Sequence, residues 1–292
     1  MSHPSEKKNK HLFGPLRVVK AAATLSKARD IPFKWHREPI IEAGRKVCLF
    51  VSYAPSSSVP AHAIQLARAW EAQGYDVVLL VNADDVCTLG LSTIPDSFAG
   101  VMVRENRGYD FGAWATALTT ISGLADASHV VIGNDSVYGP LDRFAEFVGR
   151  LEQCDADIVG ATSSYDVTFH LQSYVLLFKA KALKSAAFWR FWGSVWAGDR
   201  RHAIHFYELR FTKLMIQTGL TCAALFPSEP GSPSLNPTHS QWYKLIEQGF
   251  PFLKADGVRS GLLAAGPQSW SEVYQENGGD IDVVLRHVKS RA

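Results

Sequence analysis

The feature that most constrains the fold is a repeated alternation of short apolar segments with segments of helical periodicity. Between residues 46 and 164, five runs are made almost entirely of apolar residues. Strands that are apolar throughout are buried on both faces, which is typical of a parallel sheet covered by helices. We therefore predict an α/β fold with a mainly parallel sheet flanked by helices. The predicted strands are 46–54, 76–83, 98–106, 129–136 and 156–164.

The second half of the chain contains fewer clear strands. Residues 173–183 are strand-like and then helical, and 184–198 hold three tryptophans and two phenylalanines. Such a stretch is most often core, and the alternatives are a sugar-stacking platform or an interfacial anchor. Residues 207–220 have the pattern of an amphipathic helix. Its apolar side is expected to carry Leu209, Leu214 and Ile216.

Charge is distributed unevenly along the chain. Residues 1–46 hold eleven Lys or Arg against four Asp or Glu, a net charge of +7, whereas the rest holds nineteen against twenty-four, a net charge of −5. An acidic body argues against nucleic acid as a partner. The basic arm, 1–46, interleaves apolar residues with its cations, so residues 7–29 are predicted to contact a membrane surface. A disordered extension or a docking segment for another subunit explains the same pattern.

The chain carries no signal of export or membrane insertion. No apolar run reaches the length of a transmembrane helix, and the first residues lack the apolar core of a signal peptide. Its four cysteines have no paired or metal-ligand spacing, which suits a reducing compartment. We expect a cytoplasmic protein that works at the inner face of the plasma membrane.

Polar clusters follow most of the predicted strands. They occupy 52–58, 82–85, 105–112 and 134–140. In open α/β sheets, ligands bind at the carboxyl ends of the strands. Turn formation by Asn, Asp, Gly and Ser explains any one cluster, but four clusters at one sheet edge favour a binding site.

The most specific segment is ENRGYDFGAW, 105–114. Two glycines bracket an aromatic residue and an acid on a turn from a strand into a helix. Glycine permits close approach of the backbone, and helix N-terminal N–H groups favour an anion such as a diphosphate. Arg107 adds a charge-assisted contact. The segment matches neither the dinucleotide fingerprint nor the P-loop.

Two further acids are candidates for chemistry. Asp135 stands at the tip of a strand and offers oxygen ligands suited to Mg²⁺ or Mn²⁺, although an Asx-turn or a helix cap is the alternative. Glu208 begins the amphipathic helix and could act as a base, although simple complementation of the helix dipole would place an acid there too. The pair His202 and His205 lacks the acidic partners of a zinc site.

Several motifs together resemble the rhamnan synthesis protein F family. They are NRGYDFGAW (106–114), GNDSVYGPL (133–141), HLQSYVLLFKAKAL (170–183), YELRFTKLMIQTG (207–219) and NPTHSQWYKLIEQGFPFLKAD (236–256), in this order. The resemblance covers roughly residues 47–275. It implies a glycosyltransferase with a GT-A-like plan that uses a nucleotide sugar, with dTDP-L-rhamnose favoured. The acceptor would be a cell-surface glycan or a lipid-linked glycan.

The resemblance also implies roles for individual residues. Residues 47–165 would form the nucleotide-sugar half and 166–292 the acceptor half of one domain. Glu208 would be the catalytic base, with Asp110 as its rival. The nucleotide sugar would be contacted by Ser52, Tyr53, Asp84, Asp85, Asn106, Arg107, Gly108, Tyr109, Asp110, Gly112, Asn134, Asp135 and Ser136. The acceptor or sugar pocket would include His170 and Gln172.

The sequence departs from the GT-A pattern at the metal motif. Asn134-Asp135-Ser136 occupies the position of the DXD motif but has one carboxylate where DXD has two. Asp135 could hold Mg²⁺ or Mn²⁺, or Arg107 and backbone donors could stabilise the diphosphate without a metal.

A binding role is the main alternative to catalysis. Because fold does not fix function, the chain could be a catalytically inactive carbohydrate-binding or scaffolding subunit of a polysaccharide assembly complex. A dehydrogenase would require a dinucleotide fingerprint, which the sequence lacks.

Overall fold

The apolar runs predicted as strands all form strands of one large sheet. The computed structural model of the chain describes residues 26–228 and 236–291. The strands are β1 Phe33–Arg37, β2 Lys46–Ala54, β3 Asp76–Ala83, β4 Gly100–Glu105, β5 His129–Asn134, β6 Val137–Tyr138, β7 Ile158–Ser164, β8 His170–Leu171, β9 Val175–Lys179, β10 Cys222–Phe226 and β11 Leu253–Lys254.

Helices connect and cover these strands. They are α1 Ala61–Ala72, α2 Tyr109–Thr120, α3 Phe144–Gln153, α4 Ala180–Leu183, α5 Ala186–Gly193, α6 Arg200–His202, α7 Leu209–Gln217, α8 Pro237–Ser240, α9 Trp242–Glu247, α10 Ala255–Arg259, α11 Trp270–Glu276 and α12 Ile281–Arg291. A π-helical segment, Ala203–Glu208, joins α6 to α7, and 3₁₀ turns occupy Ala28–Asp30 and Leu124–Asp126.

The prediction of a mainly parallel α/β sheet is confirmed. Along the sheet the strands run β1-β4-β3-β2-β5-β9-β7-β10, with β8 beside β7. Strands β4, β3, β2 and β5 are mutually parallel, as are β7 and β10, whereas β9 is antiparallel to both of its neighbours. The amino end of β9 therefore lies at the same sheet edge as the carboxyl ends of β5 and β7.

Strand β1 is one of the strands that the sequence pattern did not reveal, along with β10 and β11. It lies inside the predicted basic arm and pairs antiparallel with β4 at the sheet edge. Its residues, FKWHR, alternate between half-buried and exposed. Such a short edge strand carries too few apolar residues to resemble the buried strands. Of the predicted membrane segment 7–29, only residues 26–29 fall within the described residues.

Two apolar layers cover the two faces of the sheet because successive strand residues point to opposite faces. In β2, Val47, Leu49 and Val51 join one layer with α2, α5 and α7, and Cys48 and Phe50 join the other with α1 and α3. The tryptophan-rich segment contributes Phe188 and Trp192 to the first layer, as predicted, but leaves Trp196 40% exposed.

The amphipathic face predicted for residues 207–220 is partly wrong. Leu209 is buried, but Leu214 and Ile216 are 41% and 47% exposed. The buried side chains of α7 are Leu209, Phe211, Thr212 and Met215. The helix therefore presents two large apolar side chains to solvent.

The C-terminal helices form a third apolar cluster beside the sheet. Strand β11 pairs antiparallel with β6, which places Lys254 opposite Val137. Around this two-stranded ribbon pack Trp242, Tyr274 and Val284 from α9, α11 and α12. No helix within 26–228 or 236–291 is long and apolar enough to cross a membrane.

Candidate functional site

A cavity of about 190 Å³ opens at the carboxyl edge of the parallel strands. Residues from five separate parts of the chain line it. They lie at the start of α2, at the ends of β5, β9 and β11, and along the segment before α7. Its lining comprises Tyr109, Asp110, Phe111, Asn134, Ser136, Ser173, Tyr174, Arg200, Ala203, Ile204, Glu208, Lys254, Asp256 and Arg259.

Among the acids that line this cavity, Asp110 has the pKa that departs furthest from its usual value. It lies in the first turn of α2, and its Oδ2 accepts a hydrogen bond from Asn134 Nδ2 at 2.7 Å. Burial and, to a lesser degree, the charge of Asp135 raise the pKa of Asp110 to about 7. Asp110 can therefore gain or lose a proton near neutral pH, as a carboxyl group at a catalytic site often does.

The loop after β5 separates Asp135 from its two neighbours. Asn134 and Ser136 line the cavity, and Asn134 Oδ1 accepts hydrogen bonds from the backbone N and Oγ of Ser136. The carboxylate of Asp135 instead accepts from Ser52 Oγ at 2.8 Å and from the backbone N of Tyr53 at 2.9 Å. Asn134 thus forms the Asx-turn, and Asp135 ties this loop to the end of β2.

Glu208 also lines the cavity and lies in the middle of a helical segment. The backbone is helical from Arg200 onward, so Glu208 is two turns from the helix start rather than at an N-terminus as predicted. Its Oε1 accepts hydrogen bonds from the backbone N and the Oγ of Ser173, at 3.1 and 3.0 Å. Oε2 has no hydrogen bond among the described residues, which leaves it able to accept a proton.

Basic residues from the last third of the chain complete the cavity. Lys254 Nζ donates to Ser136 Oγ at 3.0 Å and lies 4.4 Å from the ring centre of Tyr174. Burial lowers the pKa of Lys254, although nearby carboxylates oppose that shift. Arg200 and Arg259 are exposed at the cavity rim. The sequence analysis did not identify these three cations, because a single Lys or Arg outside a motif gives no local signal of a site. Lys254, for example, reaches the cavity through the pairing of β11 with β6.

The carboxylate of Asp256, which also lines the cavity, is engaged by protein donors. Its Oδ1 accepts from His239 Nε2 at 2.9 Å and from the backbone N of Gly257. The hydrogen bond from His239 and the charge of Lys254 outweigh burial and hold the pKa of Asp256 near 2. Asp256 is therefore a carboxylate at physiological pH and balances the charge of Lys254.

The backbone at the start of α2 is shaped for close packing. Gly108 has φ +80° and Tyr109 has φ +53°, so both occupy the left-handed region. A Cβ added at Gly112 would lie 2.8 Å from the carbonyl oxygen of Arg107 and 3.0 Å from a guanidinium nitrogen of Arg104. The glycines of this motif thus let the turn close over Arg104, and the strained Tyr109 projects at the cavity.

Arg104 is a buried cation that the sequence did not point to. It is fully buried in β4 and donates to Asn82 Oδ1 and to the carbonyl oxygen of Ala28, both at 3.3 Å. Burial lowers its pKa to about 10. Thr116 Oγ1 in α2 also donates to the carbonyl oxygen of Ala28, so these contacts attach the 3₁₀ turn Ala28–Asp30 to β4 and α2.

The remaining predicted residues near the strand ends lie outside the cavity lining. The hydroxyl of Tyr53 donates to Asp84. Asp85 accepts from the backbone N of Cys87 and from Thr88 Oγ1, which is the pattern of a turn. Asn106 and Arg107 belong to the turn before α2, and Arg107 is exposed.

His170 and Gln172 are buried beneath the sheet edge. His170 Nδ1 lies 2.9 Å from the carbonyl oxygen of Thr168. Gln172 accepts from Thr162 Oγ1 at 2.6 Å and donates to Asn236 at 3.4 Å. Both side chains contact protein atoms and neither lines the cavity, so their role in an acceptor pocket stays a prediction.

The acids at this edge are dispersed among other donors. Within the described ranges no group of three His, Cys, Asp or Glu is arranged to hold a metal ion. The carboxylate of Asp135 is engaged by Ser52 and Tyr53, and the cation Lys254 lines the same cavity as Asp110 and Glu208. The donor set therefore fits an anionic ligand better than a divalent cation.

Comparison with known proteins identifies the family. The chain is 28% identical over 207 residues to virulence protein VirA of Vibrio anguillarum, an alignment covering 59% of this chain and 65% of VirA. It is 27% identical over 135 residues to the uncharacterized protein y4gN of Sinorhizobium fredii, covering 44% of this chain and 35% of that protein. The chain thus spans about two thirds or less of these relatives.

The family model described as rhamnan synthesis protein F matches residues 78–292. That match takes in the turn before α2, the loop after β5, Glu208 and Lys254, which are the elements that build the cavity. Because the match extends over more than two thirds of its length, the chain belongs to the rhamnan synthesis protein F family.

Proposed function

We propose that this protein is a glycosyltransferase that moves a sugar from a nucleotide sugar to a hydroxyl group of a growing glycan. The observation that carries the proposal is the cavity at the sheet edge, where acids and cations face one another across a space open to ligand. Family membership supports dTDP-L-rhamnose as the donor, since rhamnan is a polymer of rhamnose.

The leaving diphosphate is assigned to the side of the cavity formed by Lys254 and the loop after β5. Lys254 is already oriented by Ser136 Oγ, so it can turn a donor N–H toward a phosphate oxygen with little loss of side-chain freedom. Arg200 and Arg259 add positive charge at the rim. A diphosphate held this way has its developing charge stabilised as the glycosidic bond breaks.

Glu208 is proposed as the general base. Ser173 fixes one oxygen of its carboxylate, which leaves Oε2 to accept the proton of an acceptor hydroxyl. As the acceptor oxygen forms its bond to the anomeric carbon, the bond from that carbon to the phosphate oxygen breaks, and its electron pair leaves with the diphosphate. Glu208 ends the step protonated, and the diphosphate leaves with one more negative charge than it carried in the donor. Its three charges are met by the cavity cations.

Asp110 is proposed to contact the donor rather than the acceptor. It shares Asn134 with the loop assigned to the diphosphate. With a pKa of about 7, its protonated form is available to donate to a sugar or phosphate oxygen. An ionised Asp110 would instead repel the diphosphate.

We further propose that the transfer needs no metal. The charge that a divalent ion would supply is assigned to Lys254, Arg200 and Arg259, because Asp135 is tied to the end of β2. The transfer rate and the donor affinity measured with EDTA should then match those measured with Mg²⁺ or Mn²⁺. Loss of transfer or of donor binding in EDTA would refute this assignment.

Replacement of Glu208 by Gln tests the reaction. It should lower the transfer rate by about 10²–10⁴-fold, since general base catalysis contributes that much. The affinity for dTDP-sugar should change little, because the amide oxygen can still accept from Ser173. Glu247→Gln, an exposed change on α9, is the matched control and should transfer at the wild-type rate.

The same measurements separate catalysis from a purely binding role. Transfer that is unchanged in Glu208→Gln would remove Glu208 from the mechanism. Carbohydrate binding without any transfer or hydrolysis of a nucleotide sugar by the wild-type protein would instead favour the scaffolding alternative.

A further inference from the structure

A basic and aromatic surface lies beside the cavity, on the outer side of the segment before and within α7. Its aromatic members, Trp196 and Phe206, are 40% and 50% exposed, which is unusual for large aromatic side chains. The surface, here the basic aromatic patch, consists of Lys27, Trp196, Arg201, Phe206, Arg210 and Lys213.

Contacts connect four of these residues, Lys27, Trp196, Phe206 and Arg210, and Arg201 and Lys213 are exposed on the same helical segment. Lys27 Nζ lies 6.0 Å from the ring centre of Trp196, and the Arg210 guanidinium lies 5.4 Å from that of Phe206. His202 stacks on Phe206 at 4.5 Å and reaches the hydroxyl of Tyr207, which accepts from the backbone N of Trp196. The exposed rings thus sit among cations on one continuous surface.

The patch and the cavity share one helical segment. Arg200, Ala203, Ile204 and Glu208 line the cavity, while Arg201, Phe206 and Arg210 of the same segment are exposed. Whatever binds the patch therefore lies next to the proposed base and the acceptor side of the site.

We propose that the basic aromatic patch binds the surface of an anionic lipid bilayer and holds the cavity mouth against it. Residues 196–214 carry four Lys or Arg and two acids, of which Glu208 is turned into the cavity and Asp199 caps the backbone N of His202. Exposed cations with aromatic rings are the composition that binds an anionic interface. Resting on the proposed glycosyl transfer, this makes the acceptor a lipid-linked glycan.

Charge also indicates that a bilayer, rather than the chain's own N-terminal residues, covers the basic aromatic patch. Residues 1–25 carry five Lys or Arg and one acid, so they repel the patch rather than complement it. The backbone O of Ser26 accepts from Ala197 N at 2.9 Å, which joins this basic stretch to the domain beside Trp196. Both regions are attracted to the same negative surface.

Co-sedimentation of the full chain with vesicles tests the proposal. The protein should bind vesicles containing phosphatidylglycerol and not vesicles of phosphatidylcholine alone, and high salt should weaken binding. Each neutralised cation should lower the partition coefficient roughly fivefold, so Arg201→Gln with Arg210→Gln should lower it roughly 25-fold. Phe206→Ser should weaken it several-fold as well.

Matched changes on other surfaces supply the control. Arg68→Gln with Lys244→Gln removes the same charge from exposed positions on α1 and α9 and should affect binding much less than the patch variant. Equal losses in the two double variants, or wild-type binding in the patch variant, would overturn the proposal. Failure of the wild-type chain to bind anionic vesicles would overturn it too.

Two further measurements keep this proposal distinct from the proposed function. Affinity for dTDP-sugar in solution should be the same in the patch variants and the wild type, since no mutated side chain lines the cavity. Vesicle binding without nucleotide-sugar binding would contradict the proposed glycosyltransferase function but would still support membrane binding by the basic aromatic patch. Self-association that disappears in the patch variant, seen by sedimentation velocity without lipid, would assign the patch to a second copy instead.

Discussion

Affinity for a nucleotide sugar is predicted to fall as pH rises from 6 to 8, because Asp110 loses its proton over this range. Burial, with the charges of Asp135 and Glu208, raises the pKa of Asp110 to about 7. The protonated carboxyl can donate to the bound donor, whereas the carboxylate places a negative charge beside the diphosphate. The form that binds is therefore the one populated at lower pH.

The size of the effect follows from this pKa. The protonated fraction of Asp110 falls from about 0.9 at pH 6 to about 0.1 at pH 8. If only the protonated form binds, the dissociation constant rises about tenfold, equivalent to about 1.4 kcal/mol. A sugar nucleotide is the proper probe, since both phosphates of its diphosphate are esterified and do not titrate in this range.

Isothermal titration calorimetry across the pH range measures this directly. Asp110→Asn keeps the hydrogen bond from Asn134 but cannot ionise, so its affinity should not change with pH. Glu208→Gln should move the midpoint to lower pH and Lys254→Met to higher pH, because Glu208 raises the pKa of Asp110 and Lys254 lowers it. A wild-type affinity independent of pH, or the same slope in Asp110→Asn, would refute the reasoning.

Two other changes test the roles assigned to a cation and to a glycine. Lys254→Met should weaken nucleoside diphosphate binding about 10–100-fold through loss of a charge-assisted hydrogen bond, and Lys254→Arg should retain most of the affinity; equal binding by all three proteins would exclude a phosphate contact. Gly112→Ala should lower the free energy of unfolding by about 1–3 kcal/mol, because its Cβ would clash with Arg107 and Arg104. Gly149→Ala, where a Cβ meets nothing within 4 Å, should be neutral or slightly stabilising, and thermal melting distinguishes the two.

The central strands of the sheet could be predicted from the sequence because each one coincides with a short, continuous apolar run. Strands β2 and β3 begin and end where their apolar runs do, at Lys46–Ala54 and Asp76–Ala83. Burial on both faces forces nearly every residue of such a strand to be apolar. Edge strand β1 escaped prediction because it is exposed on one side and mixes basic residues with aromatic ones.

Only some of the cavity residues could be predicted from the sequence, because the others reach the cavity through antiparallel strand pairing. Asp110, Asn134 and Ser136 lie at or shortly after the carboxyl ends of the parallel strands β4 and β5, where ligands of such sheets bind. Ser173 and Tyr174 precede strand β9, and they reach the same edge only because β9 runs antiparallel. Lys254 arrives through the pairing of β11 with β6, more than a hundred residues apart in the chain, which no local pattern records.

The separate parts of the chain that line the cavity contribute charges of both signs, and these charges balance. Its lining has three acids, Asp110, Glu208 and Asp256, and three cations, Arg200, Lys254 and Arg259, so the ionised side chains sum to zero. Protonation of Asp110 leaves a net charge of +1, and its pKa of about 7 makes that proton available near neutral pH. A diphosphate bound there favours the protonated form, and by linkage the proton favours the diphosphate. Release of the diphosphate after transfer should therefore be accompanied by release of a proton from Asp110, which makes the departure of product easier as pH rises.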